Sequence, residues 1–301
     1  MADYGLDANL VLPDGGVLEY WEGGDPNGRP VIFHPGTPAS RLLGRWGHEP
    51  AAASGVRLVS VSRPGYGGST PVTSAPSLLA TGRDTAALAA DLGMREYAVL
   101  GVSGGGPFAL ATAVADADAV RALAVVGGVG PWRLLDEPKA EDREDREYRD
   151  YLAQLDDGDV AGAWAGVRST AEREMSVLRP LDDHARVDAI LDDPASPLFH
   201  DDAYRALWAA NMAVVLDGLD GYVFDNLAWG GTWDVDPHDV VAPTVVWDGE
   251  GEGARGGRWY ADEIAHSGLM IFPGEGHLAG GAQDHSEHLG VTLGLRAAQA
   301  P

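Results

Sequence analysis

The sequence contains no cysteine, which excludes disulfides, thiolate metal ligands and a cysteine nucleophile. Basic residues are scarce. Lys plus Arg number 21 against 46 Asp plus Glu, for a net charge of −25, and Lys139 is the one lysine. Phosphate binding needs clustered Lys and Arg, so this balance argues against nucleic acid as a partner. No apolar run approaches the roughly 20 residues that a membrane span requires. The first residues, MADYGLDANLVLPDGG, show no basic stretch leading into an apolar one. No signal peptide, no membrane association and a cytoplasmic location are therefore expected. The acidic, lysine-poor composition suits an organism with a salty cytoplasm and equally a genome rich in GC codons; neither speaks to function.

The chain has 301 residues, 45% of them hydrophobic, enough for one large α/β domain or two average ones. Apolar runs of strand length recur at 17–22, 30–34, 56–62, 97–102 and 120–129. Near-continuous runs of this kind suit a parallel sheet buried on both faces, with helices outside. Between them, 77–94 has helical periodicity with Ser77 as N-cap, and 107–117 reads as a short apolar helix. From Pro131 to Pro237 the strand-like runs disappear. There, 136–157 reads as a charged helix and 201–219 as an amphipathic one, with Tyr204, Leu207, Trp208, Met212 and Val215 on its core side. The strand pattern resumes at 242–249 and 269–274, and 285–299 closes as a helix. The pattern is a helical insertion within one α/β domain.

Residues 99–111, VLGVSGGGPFALA, crowd four glycines around Ser103. Gly101-Val102-Ser103-Gly104-Gly105 lies where a buried strand becomes a helix, the setting of a nucleophile elbow. The turn needs little or no side chain two residues to either side, and it lifts the serine hydroxyl to the carboxyl edge of the sheet. It also brings the Gly104 N–H and a helix N-terminus to developing negative charge.

A serine hydroxyl needs a base, and the base needs an orienting group. Of nine histidines, His277 follows the last strand in IFPGEGHLAGG and returns to the carboxyl edge. His285 and His288 lack a third ligand, so no metal site is expected. His48, His184, His200, His238 and His266 fall where surface roles dominate. After the strand PTVVW (243–247), Asp248, Glu250 and Glu252 all satisfy the order serine, acid, histidine. Glu252 is favoured by its place in the loop, with Glu250 second and Asp136 an outside candidate. In FHPGTPAS (33–40), Thr37 is the candidate second oxyanion donor beside Gly104, and His34 is read as stabilising the loop. SRPGYGGST (62–70) is read as structural support.

Taken in order, HPGT, RPGYGGS, GVSGGG, WDGEGE and GEGH resemble the α/β-hydrolase fold superfamily across residues 30–280. The resemblance implies an α/β-hydrolase fold: a mostly parallel central sheet flanked by helices, with a helical cap (131–235) between strands 6 and 7 of a core made of 1–130 and 236–301. It also implies a triad of Ser103, His277 and Glu252 with oxyanion donors Thr37 and Gly104, needing no metal or organic cofactor. The acid loop departs from the family in carrying Glu252 where aspartate is usual, and Ser62 replaces an aspartate common before RPG. A serine at the elbow argues against the epoxide hydrolases and dehalogenases of the superfamily, which place aspartate there. The expected substrate is a small-molecule apolar ester or lactone. Amidase or aminopeptidase action and carbon–carbon bond hydrolysis are alternatives on the same triad, and a non-hydrolytic cyclase or ligand receptor is the alternative of another class.

Overall fold

Alternate residues of the central strands feed different cores. Ile32, Val59 and Val99 pack into one apolar cluster, while their neighbours Val31, Leu58 and Ala98 pack into another. Successive side chains of a strand point to opposite faces, so both faces of this sheet are buried. The computed structural model describes residues 5–135, 143–191, 200–250 and 254–272. Among them are the strands β1 (Leu6–Val11), β2 (Val17–Gly24), β3 (Arg29–His34), β4 (Val56–Val61), β5 (Tyr97–Val102), β6 (Val120–Val126), β7 (Thr244–Gly249) and β8 (Ser267–Phe272). They form one sheet in the order β1-β2-β4-β3-β5-β6-β7-β8, parallel from β4 through β8 and antiparallel at β1 and β2.

The helices α1 (His48–Ala53), α2 (Leu78–Asp91), α3 (Gly106–Ala115) and α10 (Ala254–Glu263) connect the strands. As read from the sequence, Ser77 caps α2, its hydroxyl accepting from the Ala80 N–H at 2.8 Å. The α3 sequence, GPFALATAVA, is apolar all round and correspondingly buried on nearly every side, as a helix without a polar face must be.

Between β6 and β7 lie α4 (Trp132–Leu135), α5 (Arg143–Asp156), α6 (Val160–Ser176), α7 (Asp183–Leu191), α8 (Asp202–Asp217) and α9 (Asp220–Gly230). This insertion has a core of its own, built from Leu152, Val167, Met175, Met212, Val215 and Leu227 among others. Tyr66, from the loop after β4, belongs to that second core and links it to the rest of the molecule.

Three differences from the sequence expectation stand out. β1 was not foreseen, because an edge strand with one exposed face leaves only a weak apolar alternation in LDANLV. β6 ends at Val126 rather than at residue 129, since Gly127 turns the chain with φ 54°. Within the insertion, α4, α6, α7 and α9 are additional to the two helices anticipated. The anticipated helix at 285–299 and residues 136–142 of the charged one lie outside the described residues. No helix among the described residues is long and apolar enough to cross a membrane.

Candidate active site

β3 and β5 are neighbours in parallel, with His34 in register against Gly101. Their carboxyl ends, and the two turns that follow, therefore emerge side by side. At the end of β5 the chain turns at once into α3, and Ser103 sits at φ 52°. Among the described residues it is the sole non-glycine with positive φ, a left-handed conformation that costs an L-residue about 1–2 kcal/mol. The flanking glycines permit the turn. A Cβ on Gly101 would stand 2.6 Å from the Gly105 carbonyl oxygen, and one on Gly105 would stand 2.6 Å from the Pro35 carbonyl oxygen. The Ser103 carbonyl is held by the Val129 N–H at 3.1 Å, from the loop after β6.

The turn after β3 comes to the same place. A Cβ on Gly36 would lie 3.3 Å from the Ser103 Cβ, and one on Gly104 would lie 2.8 Å from the Thr37 Cβ and 3.3 Å from the Thr37 nitrogen. Ser103, Gly104 and Thr37 are thus brought together by two loops that the sheet register forces into contact.

Beneath this turn His34 is fully buried, its ring stacked on Phe108 at 6.4 Å between centroids. The Thr112 hydroxyl donates to the Phe108 carbonyl at 2.8 Å, so its oxygen is left to accept from His34 Nε2–H at 3.1 Å. Desolvation, reinforced by the nearby Arg63 charge, pushes the imidazole pKa down to about 3. His34 is neutral at any working pH and is a structural group. In the unfolded chain a histidine titrates near 6.5, so below that pH the unfolded state takes up a proton that the folded state refuses. Stability is complete above about pH 6.5 and should fall with acid, by about 2 kcal/mol at pH 5 from this group alone. Urea unfolding of wild type and His34→Gln should show a stability gap that shrinks by about that amount between pH 7.5 and 5; a constant gap would rule the effect out.

The loop after β4 supplies a buried charge. Arg63 is fully buried and grips Asp225 of α9 with two bonds, Nε to Oδ1 at 2.7 Å and Nη2 to Oδ2 at 2.5 Å. The same guanidinium donates to the Pro35 carbonyl at 2.5 Å and the Gly36 carbonyl at 2.8 Å. Asp225 Oδ2 also accepts from Tyr66 Oη at 2.9 Å and from the Thr37 hydroxyl at 2.6 Å. Burial alone would lower the Arg63 pKa, but the Asp225 carboxylate outweighs it and holds the value up. Burial, then the Asp225 charge, pushes the Tyr66 phenol well above its ordinary range. A second insertion residue reaches the same loop. The fully buried Asn211 of α8 accepts from the Ser40 N–H at 2.8 Å and donates to the Pro38 carbonyl at 3.1 Å.

The sequence reading named neither Asp225 nor Asn211. A signal was available, since both lie within apolar helical stretches; the residues around Asp225 read YVFDNLAW. A carboxylate where helical periodicity demands an apolar side chain needs a buried cation, and few are on offer in so acidic a chain.

Of the three carboxylates at and beyond the end of β7, Asp248 is not surface. It is fully buried, and its oxygens accept from the Gly249 N–H at 2.9 Å and the Gly257 N–H at 3.1 Å, tying the strand end to α10. Glu250 is exposed. Glu252, His277, His285, His288 and Asp136 lie outside the described residues. His48 is partly buried rather than superficial, its Nδ1 accepting from the Gly24 N–H at 3.1 Å. His238 is exposed beside Asp236 at 2.8 Å. No group of acidic, histidine or cysteine side chains able to hold a metal ion occurs among the described residues.

The sequence matches the alpha/beta hydrolase fold family over residues 29–225. No curated protein sequence matches it. Among solved structures, a hydrolase from Pseudomonas aeruginosa is similar at 19% identity and a TM-score of 0.66, covering 96% of this chain and 99% of that one. A thermophilic esterase from Thermogutta terrifontis is similar at 17% identity and a TM-score of 0.67, covering 98% of this chain and 100% of its own. An enol-lactonase from Burkholderia xenovorans is similar at 16% identity and a TM-score of 0.63, over 97% and 98% of the two chains. At these identities the likeness is one of fold.

Proposed function

The chain belongs to the alpha/beta hydrolase fold family, and on that premise we propose that it is a serine hydrolase of small apolar esters or lactones, acting through an acyl-enzyme. The observation that carries this reading is Ser103, held at φ 52° where β5 meets α3. A strained residue is retained at a site where strain serves a purpose, here lifting a hydroxyl to the edge where substrates collect in open α/β sheets.

In the proposed reaction, Ser103 Oγ attacks the acyl carbonyl while His277 takes its proton, giving a tetrahedral oxyanion. The Thr37 and Gly104 N–H groups stabilise that oxyanion, each by about 3 kcal/mol on the scale of single oxyanion donors. The carbon–oxygen bond to the alcohol breaks as His277 returns the proton to the departing oxygen. Water, deprotonated by His277, then attacks the acyl-enzyme, and Ser103 leaves reprotonated with release of the carboxylic acid. Glu252 orients the imidazole and stabilises its cation. No metal or organic cofactor takes part.

The roles of His277 and Glu252 rest on chain order and reach. β8 lies three strands from β5 in the sheet, about 14 Å at ordinary strand spacing. His277 follows Phe272 by five residues, a length that extends to about 17 Å. We assign residues 131–235 to a cap over the site, the remainder forming the hydrolase core. Its aromatic content supports an apolar substrate: Trp132 and Tyr148 meet edge to face at 4.8 Å, and Trp229 joins them. The names of the Thermogutta esterase and the Burkholderia enol-lactonase agree with this choice.

The test is labelling with a fluorophosphonate, which reacts with activated serines. The adduct is expected on the peptide containing Ser103 and should be lost in His277→Ala. An unlabelled wild-type protein, or an adduct elsewhere, would refute the assignment.

A further inference from the structure

The turn carrying the Thr37 N–H is held chiefly by groups outside its own strand. Three of its polar atoms, the Pro35 and Gly36 carbonyls and the Thr37 hydroxyl, attach to the single ion pair Arg63–Asp225. Both charged side chains are wholly buried, and the anionic one belongs to the helical insertion. Asn211, also from the insertion, fixes the next three residues through the Ser40 N–H and the Pro38 carbonyl.

Two physical points suggest what this arrangement is for. A buried ion pair is weak evidence for stability in general, and this one spends its hydrogen bonds on the turn itself, through the Pro35 and Gly36 carbonyls and the Thr37 hydroxyl. The Thr37 hydroxyl, moreover, spends its one hydrogen on Asp225 at 2.6 Å. It is therefore unavailable to an oxyanion, and the side chain works as a tether for its own backbone amide.

We infer that Asp225 is a positioning residue: through the Thr37 hydroxyl and Arg63 it aims the Thr37 N–H, making helix α9 of the insertion a structural part of the oxyanion hole. The inference rests on the serine-hydrolase reading and adds to it a residue that touches neither substrate nor nucleophile. Placing an oxyanion donor wrongly by even 1 Å affects the transition state far more than substrate binding. Losing the tether should therefore act on kcat and spare KM.

Thr37→Val removes the hydroxyl with little change of shape and leaves Asp225 with Arg63 and Tyr66 as partners. With p-nitrophenyl butyrate as substrate, Thr37→Val should lower kcat by about 10- to 100-fold, within the range of a lost oxyanion donor. KM should stay within about twofold, and Thr37→Ser should restore kcat to within about threefold of wild type. Amide hydrogen exchange over residues 35–40 should quicken in the valine variant and not in the serine one. Asp225→Asn should lower kcat likewise, and adding Thr37→Val to it should cost less than about twofold more. Unchanged kcat and exchange in Thr37→Val, or losses that multiply in the double variant, would overturn the inference. Ser103→Ala is measured in parallel. Turnover that survives it defeats the serine-hydrolase reading, whereas turnover lost there and untouched in Thr37→Val defeats only the role of Asp225.

Discussion

Replacing Ser103 with alanine should reduce ester turnover by roughly 10^4- to 10^6-fold, the scale of losing a serine nucleophile outright. The fold should be indifferent to the change. Alanine keeps the Cβ, so the φ of 52° remains as costly as before, and the thermal midpoint should stay within about 2 °C. Ser103→Gly separates the two roles. Without a Cβ the left-handed conformation is no longer penalised, so this variant should be equally inactive yet more stable by about 1 kcal/mol. Kinetics with p-nitrophenyl esters and thermal melts of the three proteins decide the matter. Turnover persisting in Ser103→Ala would remove the nucleophile assignment. A glycine variant no more stable than the alanine one would show that the turn stores no strain. The expected opposition of stability and activity at one residue is that of a site where the backbone is strained for function.

The largest effect on stability should come from Asp225→Ala. That change strands the Arg63 guanidinium, fully buried, with no carboxylate, and takes the acceptor from the Tyr66 and Thr37 hydroxyl hydrogens. Breaking a buried pair in this way costs about 3–5 kcal/mol, about 5–8 °C in the thermal midpoint for a chain of this size. The double variant Arg63→Met, Asp225→Leu removes both charges and should be more stable than the single one, by about 1 kcal/mol or more. Its recovery stays partial, because the Pro35 and Gly36 carbonyls lose the donor that satisfies them. Chemical denaturation of the three proteins reads this directly. A double variant no better than Asp225→Ala would mean that packing around α9, rather than the unpaired charge, sets the cost.

The parts legible beforehand share a property: each is determined by neighbours in the chain. β3, β4 and β5 read as apolar runs because strands buried on both faces have no polar side to show. Ser77 read as a cap because its partner, Ala80, is three residues away. The serine turn read as a turn because Gly101 and Gly105 permit what Ser103 must do. Where the signal was weak, so was the physical constraint. β1 is an edge strand with exposed positions throughout, and α6 and α7 of the insertion bury only a few residues each.

Asp248 marks the limit of local reading. In sequence it is one of three acidic residues in a glycine-rich loop, indistinguishable from Glu250 by composition. In the fold it is buried under two backbone amides while Glu250 faces solvent, because only Asp248 still lies on the strand. Asp225 marks it more sharply. Thr37, Arg63 and Tyr66 occupy motifs that could be recognised singly, yet their common partner lies 159 to 188 positions along the chain. The sequence by itself determined the strand and helix alternation, the strained serine turn and the acidic, cysteine-free character of the chain, since these follow from residue type and near-neighbour sterics. Tertiary structure alone decided that the turn bearing Thr37 is held by the helical insertion. A buried carboxylate selects its partners by three-dimensional proximity and desolvation, and neither leaves a mark at fixed spacing in the chain.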